Sequence, residues 1–141
     1  MNPQLSWVFP EVCGGGATLV DIIEVIKKFQ KELNGGTAAL MLLGVLDKAE
    51  KPMYGYQIAK FIEARSRDID IMKQGALYPV LRSLESNGLL ASEVEPSVSG
   101  PPRRYYLITP SGREALVKWK EIWVQTQELV AAVLKGGDDD K

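Results

Sequence analysis

The first half of the chain repeats apolar and polar positions with the period of an α-helix. After an irregular leader over residues 1–17, the pattern predicts an amphipathic helix over 18–34, closed by Gly35-Gly36. A second helix is predicted from Thr37 to about Ala49, and because it is apolar nearly all round it should be buried. A third helix is expected from about Tyr54 to Ser66.

The second half predicts one more amphipathic helix, a hairpin and a long last helix. The fourth helix should span about Gln74 to Asn87, with a glycine at its end. Strand-like stretches over Leu89–Glu95 and Arg103–Ile108, joined by a turn-rich connection, predict a β-hairpin. Thr109-Pro110 is expected to start a final helix that runs to about Leu134. The fold is therefore predicted to be mainly α with a small β-hairpin, an α+β fold.

The residue types that the chain lacks exclude several classes of function. The chain has 141 residues, 45% of them hydrophobic, which is enough for one compact core. It has no histidine and a single cysteine, Cys13, so nucleophiles paired with histidine and zinc sites are unavailable. We predict no catalytic activity, no metal and no cofactor. Without a signal sequence or a run of about 18 apolar residues, a cytoplasmic location is expected.

The net charge of -1 is unusual for a protein that binds nucleic acid. The tail over residues 136–141, expected to be disordered, holds three Asp and one Lys, and without it 16 basic and 15 acidic residues remain. Between Lys73 and Arg113 the chain has five basic and three acidic residues. A small positive excess therefore falls on the fourth helix and the hairpin.

Side chains near the fourth helix have the chemistry that contacts with DNA require. The amide of Gln74 can bind adenine in a bidentate way, and Arg82 can bind guanine or a phosphate. Lys73 and Tyr78 are suited to the phosphate backbone. Tyr54, at the start of the third helix, can donate its hydroxyl to a phosphate near the positive end of that helix.

The hairpin, called the wing below, carries an adjacent pair of arginines, Arg103 and Arg104. They follow Gly100-Pro101-Pro102, whose restricted backbone would hold a basic tip in one orientation. Such a tip fits the minor groove or its phosphates. Solvated surface charge is the alternative for the arginines, and core packing is the alternative for Tyr78, Tyr105 and Tyr106. At least one of Tyr105 and Tyr106 should pack, because strand alternation sends them to opposite faces.

Three motifs together resemble the winged-helix domain of the PadR family of transcriptional regulators: Tyr54-Gly55-Tyr56, Leu77-Tyr78-Pro79 and the wing from Gly100 to Tyr106. The resemblance covers about Thr37 to Leu116. It implies a winged helix-turn-helix over 35–110, a homodimer, and binding to palindromic double-stranded DNA, usually as a repressor. It also implies that some members release DNA when a hydrophobic or aromatic compound binds. The DNA contacts carried over by the resemblance fall on Tyr54, Gln74, Tyr78, Arg103 and Arg104.

The helices that flank the winged helix are predicted to join two subunits. The final helix, 111–135, has an apolar seam at spacings of three and four residues, which is typical of lengthwise helix packing. Trp119 and Trp123 could alternatively form the walls of an effector site between subunits, although dimer packing is the simpler interpretation. The residues predicted for the interface or effector site are Ile22, Ile26, Phe29, Leu116, Trp119, Trp123, Val130 and Val133.

A protein-interaction module without DNA binding is the competing interpretation. A winged helix can serve as a docking surface for another protein, and the near-neutral charge and the additional amino-terminal helix favour that alternative. Strong dependence of DNA binding on salt would count against it.

Overall fold

The computed structural model describes residues 19–66, 74–96 and 100–135. The chain consists of two compact units, Met1–Gly35 and Gly36–Lys141. The predicted leader, the predicted acidic tail and Lys73 lie outside the described residues. The elements in chain order are α1 (Leu19–Lys48), β1 (Met53–Tyr54), α2 (Gly55–Arg65), α3 (Gln74–Ser86), β2 (Leu90–Glu95), β3 (Arg103–Ile108) and α4 (Pro110–Lys135).

The predicted helix end at Gly35-Gly36 is wrong, because α1 continues through both glycines. Glycine favours a helix end when it takes the left-handed conformation, and in the described residues only Gly88 and Gly100 have a positive φ. Each glycine inside a helix costs about 1 kcal/mol relative to alanine. That cost weakens α1 locally without ending it.

The hydrophobic core lies in the Gly36–Lys141 unit. It takes the apolar carboxy-terminal part of α1, the inward faces of α2 and α3, and one face of the sheet. The predicted burial of the second apolar segment is confirmed, since Leu42 and Leu43 are inaccessible to solvent. The most deeply buried large side chains are Tyr106, Leu42, Leu43, Ile58, Leu77 and Leu81.

The sheet has three antiparallel strands in the order β1-β3-β2. β2 and β3 form the predicted wing, with Leu90 opposite Ile108 and Glu95 opposite Arg103. β1 was not predicted, because two residues are too short to show an alternating pattern. It pairs Met53 with Tyr106 and Tyr54 with Tyr105, and so fixes the start of α2 against the wing.

The turn after α3 shows why the fourth helix ends where the sequence predicts. Gly88 has φ 81°, its N–H donates to the Glu85 carbonyl at 2.9 Å, and the N–H of Leu89 donates to the Leu84 carbonyl at 2.9 Å. This pair of hydrogen bonds is the Schellman arrangement, which satisfies the last carbonyls of a helix. The chain then enters β2 at Leu90.

Thr109 caps α4 and also connects it to the end of α3. Its Oγ1 accepts the backbone N–H of Gly112 at 3.0 Å and donates to the Gly88 carbonyl at 2.7 Å. Gly112 is required nearby, because a Cβ there would lie 2.7 Å from Cγ1 of Ile108. The predicted N-cap at Thr109 is confirmed.

Replacing Thr109 with alanine should lower the free energy of unfolding by about 1 kcal/mol, the usual loss for an N-cap, with some addition for the bond to Gly88. Denaturant unfolding followed by circular dichroism measures the change. Thr109→Ser keeps the hydroxyl and should retain most of the stability. Equal stability of Thr109→Ala and the parent chain would show that the cap contributes nothing.

No helix in the described parts of the chain is long and apolar enough to cross a membrane.

Candidate nucleic-acid interface

A groove of about 530 Å³ lies where the start of α2, the outer side of α3 and the wing meet. Five of the predicted DNA-contacting residues line it, which places residues distant in sequence around one depression. The lining residues are Tyr54, Gly55, Tyr78, Arg82, Glu85, Pro102, Arg103, Arg104 and Tyr106.

Tyr78 is held in the groove by close packing on Gly55. A Cβ at Gly55 would stand 2.6 Å from Cζ of Tyr78, well inside van der Waals contact. Glycine at this position lets the Tyr78 ring lie against the start of α2, and any larger residue would displace the ring. This contact explains why a glycine separates Tyr54 and Tyr56, and sequence reasoning missed it because the partners are 23 residues apart.

The ring of Tyr54 forms a platform for Arg103. The guanidinium carbon of Arg103 lies 4.5 Å from the centre of that ring, a cation–π arrangement. The ring of Tyr105 meets Tyr54 edge-on with centroids 5.3 Å apart, and Tyr56 stacks on it at 6.3 Å. Gln57 Oε1 accepts the backbone N–H of Tyr54 at 3.0 Å. Arg103 is therefore oriented before any ligand arrives.

Arg104 points to the other face of the wing. Its Nη1 donates to the hydroxyl of Ser92 at 2.8 Å, and that hydroxyl donates to Glu85 Oε2 at 2.7 Å. Tyr106, only 2% exposed, lies on the same face. Burial raises the pKa of the Tyr106 phenol, Arg104 opposes that shift, and Glu85 adds to it. The expectation that strand alternation would bury at least one of Tyr105 and Tyr106 is confirmed.

The other predicted contact residues have different positions. Arg82 is exposed on α3 and lines the groove, whereas Gln74 begins α3, and its side chain is outside the described residues, as is all of Lys73. Gly100 is exposed in the connection between the two wing strands with φ 114°, a conformation that favours glycine. It supports the wing backbone and is not one of the residues that line the groove.

The charge around the groove is positive despite the neutral chain. Three arginines and one glutamate line it. Arg113, which contributes to the local excess predicted from sequence, has its charge offset because its Nη1 lies 2.6 Å from Asp47 Oδ1. The positive charges that line the groove are therefore those of Arg82, Arg103 and Arg104, with Glu85 as the opposing charge.

Most of the predicted interface residues are exposed in the single chain. Trp123 is 37% exposed, and Val130 and Val133 on α4 are 48% and 66% exposed. In the Met1–Gly35 unit, Ile22, Ile26 and Phe29 are 46%, 60% and 62% exposed. These side chains are available to another surface.

Leu116 and Trp119 differ from the other predicted interface residues. Leu116 is 3% exposed and belongs to the core, so its assignment to a seam facing a partner is wrong: the first turns of α4 pack on the winged helix itself. Trp119 is half-buried and packs against the same core. The later part of α4 keeps most of its large apolar residues exposed.

A second cavity, of about 570 Å³, lies between α1, α2 and α4 within the Gly36–Lys141 unit. Its wall includes Leu116 and Trp123, two of the residues predicted for an effector site, but Trp119 is not part of it. The described part of one chain thus already forms a cavity, whereas the sequence predicted a site between subunits. Lys48, Arg65 and Lys120 add cationic groups to the lining, and Asp47 adds a carboxylate.

Three helices followed by a two-stranded wing, with the wing paired to a short strand ahead of the second helix, define a winged helix-turn-helix. The predicted fold class is confirmed. A profile of the transcriptional regulator PadR-like family matches residues 42–118, more than half of the chain. The chain belongs to the PadR-like family of transcriptional regulators. Membership in this family of DNA-binding regulators also confirms the prediction that the protein is not an enzyme.

Individual relatives agree with the family assignment. A PadR family transcriptional regulator from Eggerthella lenta has a similar crystal structure, with a TM-score of 0.68 and 30% sequence identity over 84% of this chain and 99% of that one. A transcriptional regulator from Clostridium thermocellum has a TM-score of 0.63 and 28% identity over 72% of this chain and 93% of that one. Transcriptional regulator Rv3488 of Mycobacterium tuberculosis is 45% identical over 62 residues, 44% of this chain and 54% of the relative.

Proposed function

We propose that the protein is a sequence-specific repressor that binds an inverted-repeat operator as a homodimer. The observation that carries the proposal is the groove in which arginines from α3 and from the wing converge. Membership in the PadR-like family shows that the protein is a DNA-binding regulator. What we propose beyond that is an operator with inverted-repeat symmetry, a homodimer that binds it, and repression as the direction of regulation.

The geometry of the groove supports entry of α3 into the major groove of DNA. The B-DNA major groove is about 12 Å wide and admits one helix. Arg82 is exposed on α3 and Gln74 stands at its first position, so both belong to the element that would read base edges. Arg103 and Arg104 on β3 flank the same groove, where they suit the phosphates or the adjacent minor groove. Lys73 and Tyr54 are proposed as additional phosphate contacts.

The exposed apolar residues of α4 support a homodimer. A single chain would leave a row of large side chains in water along the last four turns of this helix, at a considerable hydrophobic cost. Pairing with a second copy would cover them. Symmetric pairing would also let the two α3 helices, one from each copy, bind two half-sites. These half-sites would be about 34 Å apart on one side of the duplex. The residues concerned are Ile122, Trp123, Leu129, Val130, Val133 and Leu134.

Repression is the expected outcome of such binding. A dimer that covers two successive turns excludes another protein from the same duplex face. A dimer bound over a promoter would therefore block transcription.

Selection of bound duplexes from a random-sequence pool tests the proposal. The purified protein should enrich an inverted repeat whose half-sites are about 10 base pairs apart, centre to centre. Absence of enrichment at low salt would contradict sequence-specific binding and favour the protein-interaction module. Placing the enriched sequence ahead of a reporter gene then separates repression from activation.

A regulatory ligand is a second proposal, carried by the cavity between α1, α2 and α4. Its wall is mainly apolar and includes Trp123, and its charged lining residues are Lys48, Arg65, Lys120 and Asp47. That combination suits a hydrophobic or aromatic compound, with an acidic group favoured by the excess of cations over the single carboxylate. Because the wall includes α4, a ligand here would alter the helix proposed to join the subunits.

Filling the cavity should abolish ligand binding, and Gly44 offers a way to do it. Gly44 lines the cavity, and a Cβ there meets no other atom within 4 Å. Gly44→Leu should weaken binding of a fluorescent anionic dye, anilinonaphthalene sulfonate, by on the order of tenfold or more, because the added side chain occupies ligand space. Gly35→Leu is the matched control, since Gly35 also has open space and is outside the cavity. Equal dye affinity of the two variants would contradict the site.

A further inference from the structure

Glu85 is the only carboxylate among the described residues that line the DNA groove. It is half-buried on α3 and faces a groove whose other charged groups are arginines. A carboxylate in a phosphate-binding surface repels the phosphates and lowers affinity for any duplex. Its presence there requires an explanation other than affinity.

The contacts of Glu85 connect it to the wing. Its Oε2 accepts the Ser92 hydroxyl at 2.7 Å, and the same hydroxyl accepts Nη1 of Arg104 at 2.8 Å. Ser92 lies opposite Tyr106, and Val94 lies opposite Arg104, so Ser92 and Arg104 are diagonal neighbours on one face of the wing. The hydroxyl proton is thus directed to Glu85 and the lone pair to Arg104.

This chain of hydrogen bonds restrains Arg104 in two ways. It fixes the direction of the guanidinium, which is otherwise on a long flexible side chain, and the nearby carboxylate offsets part of its charge. A phosphate that approaches in an arbitrary register must draw the Arg104 side chain away from its hydrogen bond with Ser92. When base contacts hold the duplex in one register, a phosphate can meet the guanidinium where it already lies, and the side chain does not have to move.

We propose that Glu85, acting through Ser92, is a specificity-determining residue that suppresses binding to unrelated DNA and holds Arg104 for the operator. The inference rests on the proposed DNA-binding function. Unrelated duplexes bind in many registers through phosphates alone, so they bear the full repulsion of Glu85. Replacing the carboxylate with a neutral group relieves the operator of the same repulsion. A neutral acceptor, however, holds Ser92 and Arg104 more weakly than a carboxylate does, so the operator gains less.

The test compares Glu85→Gln with the parent chain on two labelled duplexes, the selected operator and a scrambled sequence. Near 0.1 M salt, affinity for the scrambled duplex should rise about three- to tenfold, the range for one charge beside phosphates, and its salt dependence should steepen. Operator affinity should rise less, so the ratio of the two affinities falls. Glu114→Gln is the control, because Glu114 is exposed on α4 and outside the groove.

Ser92→Ala separates positioning from charge. It keeps the carboxylate but removes the bridge, so operator affinity should fall while affinity for the scrambled duplex does not, and Ser92→Thr should restore the operator. Circular dichroism establishes that each variant is folded. If Glu85→Gln, like Glu114→Gln, leaves the ratio of operator affinity to scrambled-duplex affinity unchanged, the role of Glu85 is refuted. The proposed function survives that outcome, because the parent chain still binds its operator. A parent chain with no operator preference refutes the proposed function instead.

Discussion

Reversing both wing arginines, Arg103→Glu with Arg104→Glu, should weaken binding to every duplex by on the order of a hundredfold or more near 0.1 M salt, since each lost phosphate contact costs about tenfold there. The effect should be general because these side chains stand beside the groove on β3 and carry charge irrespective of base sequence. The Tyr54 ring orients Arg103 and the Ser92 hydroxyl orients Arg104, so both side chains are held in place before they contact a phosphate.

Fluorescence anisotropy of a labelled duplex, repeated over a series of salt concentrations, measures this loss. The slope of log affinity against log salt should become shallower by about two units, one for each phosphate contact. Lys27→Glu with Lys28→Glu makes the same change of net charge on an adjacent basic pair in the Met1–Gly35 unit. A similar loss in that control would show that total charge, and not the wing, controls binding.

Two acidic substitutions on α4, Val130→Glu with Val133→Glu, should separate the proposed dimer into single chains. Both side chains are exposed in the monomer, so the domain should remain folded, while burial of two carboxylates in an apolar interface would be strongly unfavourable. Operator affinity should fall by on the order of 10² to 10⁴, because each half-site would then be bound without the benefit of the linked second site.

Light scattering after size-exclusion chromatography gives the mass, and the anisotropy assay gives the operator affinity. Val124→Glu with Ala131→Glu is a suitable control, because at about 100° per residue both positions lie at least about 100° around α4 from Val130 and from Val133. The control should remain a dimer. A parent chain that already elutes with the mass of one subunit would rule out the proposed assembly.

Elements determined by local pattern were predictable from sequence, and elements determined by distant partners were not. The wing, the start of α4 at Thr109 and the end of α3 at Gly88 follow from alternation, an N-cap and a left-handed glycine, each visible within a few residues. β1 is two residues long and exists only because β3 lies beside it. Gly35-Gly36 misled the prediction, since glycine in a right-handed conformation does not end a helix.

The site shows the same division. Motifs at known spacing predicted that Tyr54, Tyr78, Arg103 and Arg104 are neighbours, and the side-chain chemistry of the fourth helix added Arg82. Their orientation could not, because it depends on contacts between separate elements: Tyr78 on Gly55, Arg103 on Tyr54, and Arg104 on Ser92.

Residues outside the motifs were missed or misplaced for a related reason. Glu85 and Ser92 belong to no motif, and only the register of β2 and β3 brings Ser92 beside Arg104. Leu116 fits the heptad-like seam of α4 equally well as an interface residue or as a core residue. A helical pattern gives the direction of a side chain but does not say which surface lies there.

The most direct test of a dimer that reads an inverted repeat is hydroxyl-radical footprinting of the parent protein on its selected duplex, with the mass of the complex measured in parallel. Two protected patches about one helical turn apart on one face of the duplex, in a complex of two chains per duplex, are the expected result. A single protected patch with one chain per duplex would contradict the account.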